Sequence, residues 1–187
     1  MKAEEKEDML NSPNRLTLFR VAAIPAIVIL LLFTGRFPTF IAAILFSAAA
    51  ITDYFDGFYA RRHGLVSTFG TVMDPVADKL LVSSSFIMLA SHGWIPSWMV
   101  CVIVGRELAV NGLRNILAKK GEDISASNLG KFKTGFQIAA IIPLLFHYSY
   151  FDINMAAIGN FFLWGALLFT LWSGIDYFIR FRKILRI

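Results

Sequence analysis

The sequence predicts an all-α membrane protein of six transmembrane helices with both termini in the cytoplasm. Three observations predict it. The chain is 57% hydrophobic, with 18 Phe among 187 residues, and its mean hydropathy is +0.62. A soluble domain of this length needs a polar exterior, and the polar residues here are too few and too clustered to supply one. Several apolar runs approach or exceed the ~20 residues that cross a bilayer as helix. Finally, Lys and Arg gather in alternate connections, as the positive-inside rule requires of a multi-spanning chain.

The elements follow in order. The first span is expected from about Leu16 to Phe33, with Arg20 near its start and Pro25 as a kink. After the turn "TGRFP" the second runs from about Pro38 to Arg61. The third is expected from about Asp74 to Ser91 and is ended by "HGWIPS". The fourth covers about Trp98 to Lys119, the fifth about Lys131 to His147, and the sixth about Ile158 to Arg182. Arg15, Arg61, Arg62, Lys119, Lys120, Lys131, Arg180, Arg182, Lys183 and Arg186 fall on one side of this arrangement. The opposite connections hold only Arg36. Both termini are therefore cytoplasmic, and the number of spans is even. Residues 1–187 read as a single domain. Within it, 1–14 is an interfacial helix or a solvated tail, and 15–187 is the bundle.

Composition excludes several classes. Cys101 is the only cysteine, so there is no intrachain disulfide and no Cys-rich metal site. His63, His92 and His147 show no ligand spacing. The mixed charges of "MKAEEKEDMLNSPN" are not those of a signal peptide. The formal charge of +5 is that of a chain facing an anionic leaflet and does not indicate nucleic acid.

Against this background four carboxylates are out of place. Asp53 and Asp56 are i, i+3, and Asp74 and Asp78 are i, i+4, so each pair shares one helix face. Both pairs sit at the cytoplasmic ends of adjacent spans, joined by a connection of roughly ten residues. One such Asp would be an ordinary helix-end partner of Arg61, Arg62 or Lys79. Four would repel strongly unless neutralised, and two divalent cations match four carboxylates. Hard oxygen ligands suit Mg2+ or Mn2+. A divalent-cation transporter is the competing class, but a pathway needs polar groups beyond the midplane, and the outer halves of these spans offer almost none. Gly57 and Ala60 lie one turn from Asp53 and Asp56, which admits a flat group or a close helix. Gly70 sits at the turn expected before the third span, and Arg61 offers a planar fork to phosphate.

As a set, Asp53-x2-Asp56-Gly57-x2-Ala60-Arg61-x8-Gly70-x3-Asp74-x3-Asp78 resembles the signature of the CDP-alcohol phosphatidyltransferases, with every defining position filled. "PNRLTLFR" (13–20), "DPVADKLL" (74–81), "GREL" (105–108), "GLR" (112–114) and "LGKFKTGFQ" (129–137) look like its phosphatidylglycerophosphate synthase branch. The resemblance implies six helices around a polar cavity open to the cytoplasm, usually in a homodimer of the cell membrane. It implies transfer of the phosphatidyl group of CDP-diacylglycerol to glycerol 3-phosphate, with CMP leaving. Phosphatidylglycerol, inositol phosphate and serine are the acceptors of related enzymes. By the same resemblance Asp53, Asp56, Asp74 and Asp78 hold the metals, and Asp78 is also the candidate base. Gly57, Ala60, Arg61 and Gly70 face the CDP moiety, with Asn14, Thr17 and Arg20 near the nucleotide or the cavity wall. The acceptor phosphate is expected on Arg106, Arg114, Lys131 and Lys133, with Glu107 orienting a neighbouring Arg.

Overall fold

The computed structural model describes the backbone of residues 12–33, 35–63, 68–119, 128–149 and 152–185. It describes side chains over 17–33, 35–52, 73–118, 132–149 and 152–182. Six helices are found there and no strand: α1 Ser12–Leu32, α2 Arg36–His63, α3 Thr68–Ser91, α4 Ser97–Lys119, α5 Asn128–Phe146 and α6 Met155–Leu185. The first eleven residues, read as an interfacial helix or a tail, lie outside the described residues.

Local chemistry sets the ends. Asn154 caps α6, its Oδ1 accepting from the Ala157 N–H at 3.0 Å, so the helix opens three residues before the expected Ile158. Gly93, at φ 70°, stops α3: its N–H donates to the Ala90 carbonyl at 2.9 Å and the next N–H, of Trp94, to Leu89 at 3.1 Å. That pair of bonds needs a left-handed residue, which glycine adopts without strain. At the other end α3 opens at Thr68, about six residues earlier than expected. Gly70, expected in a turn, is therefore inside the helix, and only residues 64–67 separate α2 from α3. The misplacement came from reading Gly70 as the turn before the helix. Pro75 lies well inside α3, where its missing N–H leaves the Thr71 carbonyl without its usual helical partner.

Two compact units are found, Met1–Met88 and Leu89–Ile187. In the first, α1 packs on α2, around buried Ile27, Leu31, Ala42, Phe46 and Ala49. In the second, α6 packs against both α5 and α4. A Cβ on Gly165 would lie 2.5 Å from the Phe136 ring, so α5 and α6 approach as closely as they do only because that position has no side chain.

The distribution of side chains is inside out. Phe37, Leu108, Phe161, Leu168 and Trp172 are all more than 60% exposed. Arg20, Lys133, Gln137, Thr170 and Ser173 are all 5% exposed or less. Water selects the opposite pattern, whereas hydrocarbon selects this one. Hydroxyls on the helices close on their own backbone, as Ser47 does on Ala43 (2.7 Å), Thr52 on Ala48 (2.6 Å) and Ser85 on Leu81 (2.8 Å). Among the described residues, Met155–Arg182 is the one segment both long and apolar enough to cross a bilayer. Shorter apolar stretches cover Thr17–Leu32, Arg36–Thr52 and Phe132–Phe146. The charges within α3 (Asp74, Asp78, Lys79) and α4 (Arg106, Glu107, Arg114) interrupt the apolar runs there.

At the end of α5, His147 takes a left-handed conformation, φ 54°, and its N–H caps the Pro143 carbonyl at 2.9 Å. Trp94 stacks with two imidazoles, 3.8 Å from His147 and 4.8 Å from His92 by ring centroids. Burial, then the neighbouring His92, holds His147 below the ordinary imidazole value of 6.5. A depressed pKa on a base favours the folded state above 6.5 and loses that contribution as pH falls below it. The thermal midpoint is therefore expected to fall between about pH 8 and about pH 5, and to fall less in His147→Asn. Asn also tolerates the left-handed backbone. Parallel pH profiles for the two proteins would remove His147 from the effect.

Candidate functional site

The first unit carries the carboxylates. Asp53 and Asp56 lie on the helical backbone of α2, and Asp74 and Asp78 on that of α3, so each pair occupies one face as the spacing requires. Gly57, Ala60 and Arg61 continue α2. The side chains of these three, of Asp53 and Asp56, and of Asn14 on α1, lie outside the described residues, as does any contact of Gly70. Among the described residues no group of three or more His, Cys, Asp or Glu gathers, because half of the predicted carboxylate cluster is not among them.

Asp74 is held from α1. The Thr17 hydroxyl donates to its Oδ1 at 2.6 Å, and the Arg20 guanidinium donates through Nη2 to the same oxygen at 2.9 Å. Thr17 and Arg20 are i, i+3 on one face of α1. Both are 1% exposed, whereas the Asp74 side chain is 45% exposed. A guanidinium buried in an apolar helix needs a counter-charge, and Asp74 supplies it. The carboxylate gains a fixed orientation in return, since Oδ1 is engaged twice and Oδ2 by neither donor. Such a carboxylate, with Asp78 one turn along and partly exposed, suits a hard divalent cation. The sequence placed Thr17 near the nucleotide. Its contact with Asp74 was not read, although a hydroxyl and a guanidinium one turn apart in an apolar helix are the available signal.

The second unit carries the cations. Glu107 Oε1 accepts from Lys133 Nζ, joining α4 to α5, and from Arg106 Nη1 at 3.3 Å. Arg106 Nη2 donates to Ser173 Oγ on α6 at 3.0 Å. The side chains of Arg106 and Glu107 are each 13% exposed and that of Lys133 7%. Two cations thus share the Glu107 carboxylate. Arg114 and Tyr177 lie near enough to interact electrostatically with Arg106, and Arg114 is exposed. Gly174 makes room for the guanidinium, because a Cβ there would lie 3.2 Å from Arg106 Cγ. The structure thus brings together Arg106 and Lys133 with Glu107 and sets Arg114 at the margin. The Lys131 side chain lies outside the described residues. Ser173 and Gly174 were missed. Their signal was a small, polar interruption of an otherwise apolar α6.

A carboxylate-lined first unit and a cation-rich second suit a phosphate-handling protein. The chain matches the CDP-alcohol phosphatidyltransferase family over residues 10–172 and belongs to it. Members of that family generally depend on a divalent cation. The chain is 44% identical over 182 residues to the CDP-diacylglycerol–glycerol-3-phosphate 3-phosphatidyltransferase of Bacillus subtilis (strain 168), covering 91% of this chain and 94% of that one. Proteins of the same name from Rickettsia bellii (strain RML369-C) and Escherichia coli (strain K12) are each 37% identical, over 92% and 89% of this chain and 96% and 92% of theirs.

Glu107 is the residue on which the cation cluster depends. Glu107→Gln leaves Arg106 and Lys133 buried without their anion, an expected loss of about 3–5 kcal/mol in stability. Thermal unfolding in detergent reads it, and Glu107→Asp, which keeps the charge, is expected to lose less. A wild-type midpoint for Glu107→Gln would show that Glu107 does not hold the cluster together.

Proposed function

We propose that the chain transfers the phosphatidyl group of CDP-diacylglycerol to glycerol 3-phosphate, giving phosphatidylglycerophosphate and CMP. The observation that carries this is the 44% identity over 91% of the chain to a relative named for that activity. The filled signature from Asp53 to Asp78 supports it. The reading includes a six-span homodimer of the cell membrane acting as one catalytic domain, with both termini and the site at the cytoplasmic face. The donor's acyl chains stay in lipid while its diphosphate and the acceptor are water-soluble, so a site at that boundary serves both.

In this reading Asp53, Asp56, Asp74 and Asp78 would hold two divalent cations, Mg2+ or Mn2+. Bound there, the cations supply charge neutralisation for the diphosphate and the departing CMP. Thr17 and Arg20 fix the orientation of Asp74. Arg61 grips the donor phosphates, and Gly57, Ala60, Gly70 and Asn14 line the CDP moiety. Asp78 takes the proton of the acceptor hydroxyl as its oxygen bonds to phosphorus and the bond to CMP breaks. Arg106, Arg114, Lys131 and Lys133 hold the acceptor phosphate. The gathering of two buried cations, Arg106 and Lys133, supports an anionic acceptor over serine.

Release of CMP from CDP-diacylglycerol and glycerol 3-phosphate, in mixed micelles, tests the reading. Activity is expected to vanish in excess chelator and return with Mg2+ or Mn2+. Full turnover in chelator would overturn the metal assignment, and equal use of serine or inositol phosphate would overturn the acceptor.

The carboxylates are expected to fail differently. Asp78→Asn is expected to bind metal more nearly normally than Asp53→Asn and to lose roughly 10²–10⁴-fold in rate at saturating metal. Asp53→Asn is expected to recover in part as metal is raised. Near-normal turnover by Asp78→Asn would remove Asp78 as the base.

A further inference from the structure

Helix α3 has two faces at the level of its carboxylates. Asp74 and Asp78 share one with Ala77, Leu81 and Ser85, which are 2% exposed or less. Met73, Val76, Leu80 and Ile87 form the other, and all four are exposed and apolar. Lys79 lies on the seam between them. Asp78, Lys79 and Leu80 are successive, so each is turned about 100° from the one before. On the opposite flank of the carboxylates Ala77 is buried, so protein closes that side. On the Lys79 flank Pro75 is exposed and Lys79 itself is half-buried, so this side is open.

Sequence alone made Lys79 an ordinary ion-pair partner of these aspartates. The structure gives it a different partner. Its Nζ donates to the Pro75 carbonyl at 3.3 Å, one turn back toward the N-terminal end of α3. Among the described residues no carboxylate is paired with Lys79. An ammonium has three N–H donors, and the bond to Pro75 uses one. The stem runs along an apolar flank while the charged head turns toward the helix end, as a lysine does at the edge of hydrocarbon. A positive charge is thereby held at the level of Asp74 and Asp78 but on the side that faces the apolar stripe.

The donor of the proposed reaction has the same two-sided form. Its nucleotide and diphosphate belong with the carboxylates, and its acyl chains belong in lipid. The phosphatidyl phosphate, the group that is transferred, lies between the two. We propose that Lys79 is a donor-specificity residue whose ammonium holds the phosphatidyl phosphate of CDP-diacylglycerol where the lipid passes from the carboxylate face of α3 to the stripe of Met73, Val76 and Leu80. This rests on the reading of Asp74 and Asp78 as the seat of the donor diphosphate. The contact is a charge-assisted hydrogen bond. It distinguishes a lipid-linked nucleotide from free CMP, which lacks the second phosphate.

The test uses the full-length protein in mixed micelles. Lys79→Met keeps the apolar stem and removes the charge. It is expected to raise KM for CDP-diacylglycerol roughly ten-fold. KM for glycerol 3-phosphate and inhibition by CMP are expected to stay within about two-fold of wild type. The rise in thermal midpoint produced by CDP-diacylglycerol should weaken, and that produced by CMP should not. Lys79→Arg, which keeps a cationic donor, should hold KM near the wild-type value. An unchanged KM for CDP-diacylglycerol in Lys79→Met overturns the inference. If that variant is also less stable, Lys79 serves only the Pro75 carbonyl. If it instead runs as a smaller species in detergent, the stripe belongs to a contact with a second copy of the chain. Equal weakening of CDP-diacylglycerol and CMP overturns the inference too, since the effect would then lie on the whole nucleotide site. Asp74→Asn separates the inference from the reading beneath it. If Asp74→Asn weakens the midpoint shift by CDP-diacylglycerol and Lys79→Met does not, the inference falls and the donor-site reading stands. If neither weakens it, both fall.

Discussion

A charge in hydrocarbon must be paired, and the placement of polar side chains in this protein follows from that constraint. Arg20 is 1% exposed on a helix that is otherwise nearly apolar. It is tolerable there because Asp74 reaches it from α3 at 2.9 Å. Arg106 and Lys133 are tolerable on α4 and α5 because Glu107 accepts from both. Each pairing ties two helices that the greasy surface alone would not distinguish, since apolar side chains pack on lipid as readily as on one another. Specific helix contacts are therefore made where the charges are. The charges, in turn, are the groups from which a phosphate-handling site can be built.

The same constraint explains how the apolar surface is used. Large residues such as Phe161, Trp164 and Trp172 face outward. Small residues lie where helices must approach, as Gly165 does under Phe136 and Gly174 under Arg106. A bundle arranged this way has room inside for polar side chains only because glycine, alanine and serine line the crossings. Enlarging those positions would separate the helices and unpair the charges with them. Packing and electrostatics are thus a single requirement.

Much of this was legible in the sequence, and for a physical reason. Helix existence follows from apolar runs, and shared faces follow from i, i+3 and i, i+4 spacing, both local properties. Hence α1 to α6 and the two aspartate pairs were all readable. Helix ends were less so where the decisive residue was itself ambiguous. Gly70 reads as a turn residue, yet α3 extends to Thr68. Partners between helices were not readable, because spacing along one helix says nothing of what faces it. The bond from Thr17 to Asp74 spans 57 residues and that from Arg106 to Ser173 spans 67. Charges also lower hydropathy where they interrupt an apolar helix, as Asp74, Asp78 and Lys79 do in α3.

The Arg20 contact changes the charge balance of the proposed metal site. Four carboxylates and two divalent cations would cancel. Arg20, buried against Asp74, and Arg61, in the proposed reading beside the donor phosphates, would add positive charge to that balance. Bound cations would then leave the region attractive to an anionic diphosphate, whereas without them the carboxylates would outnumber the two guanidinium groups and oppose it. A guanidinium at this position would therefore do more than orient Asp74. It would tilt the loaded site toward the donor, so that cation binding and donor binding would favour one another, a coupling that acts equally in both directions.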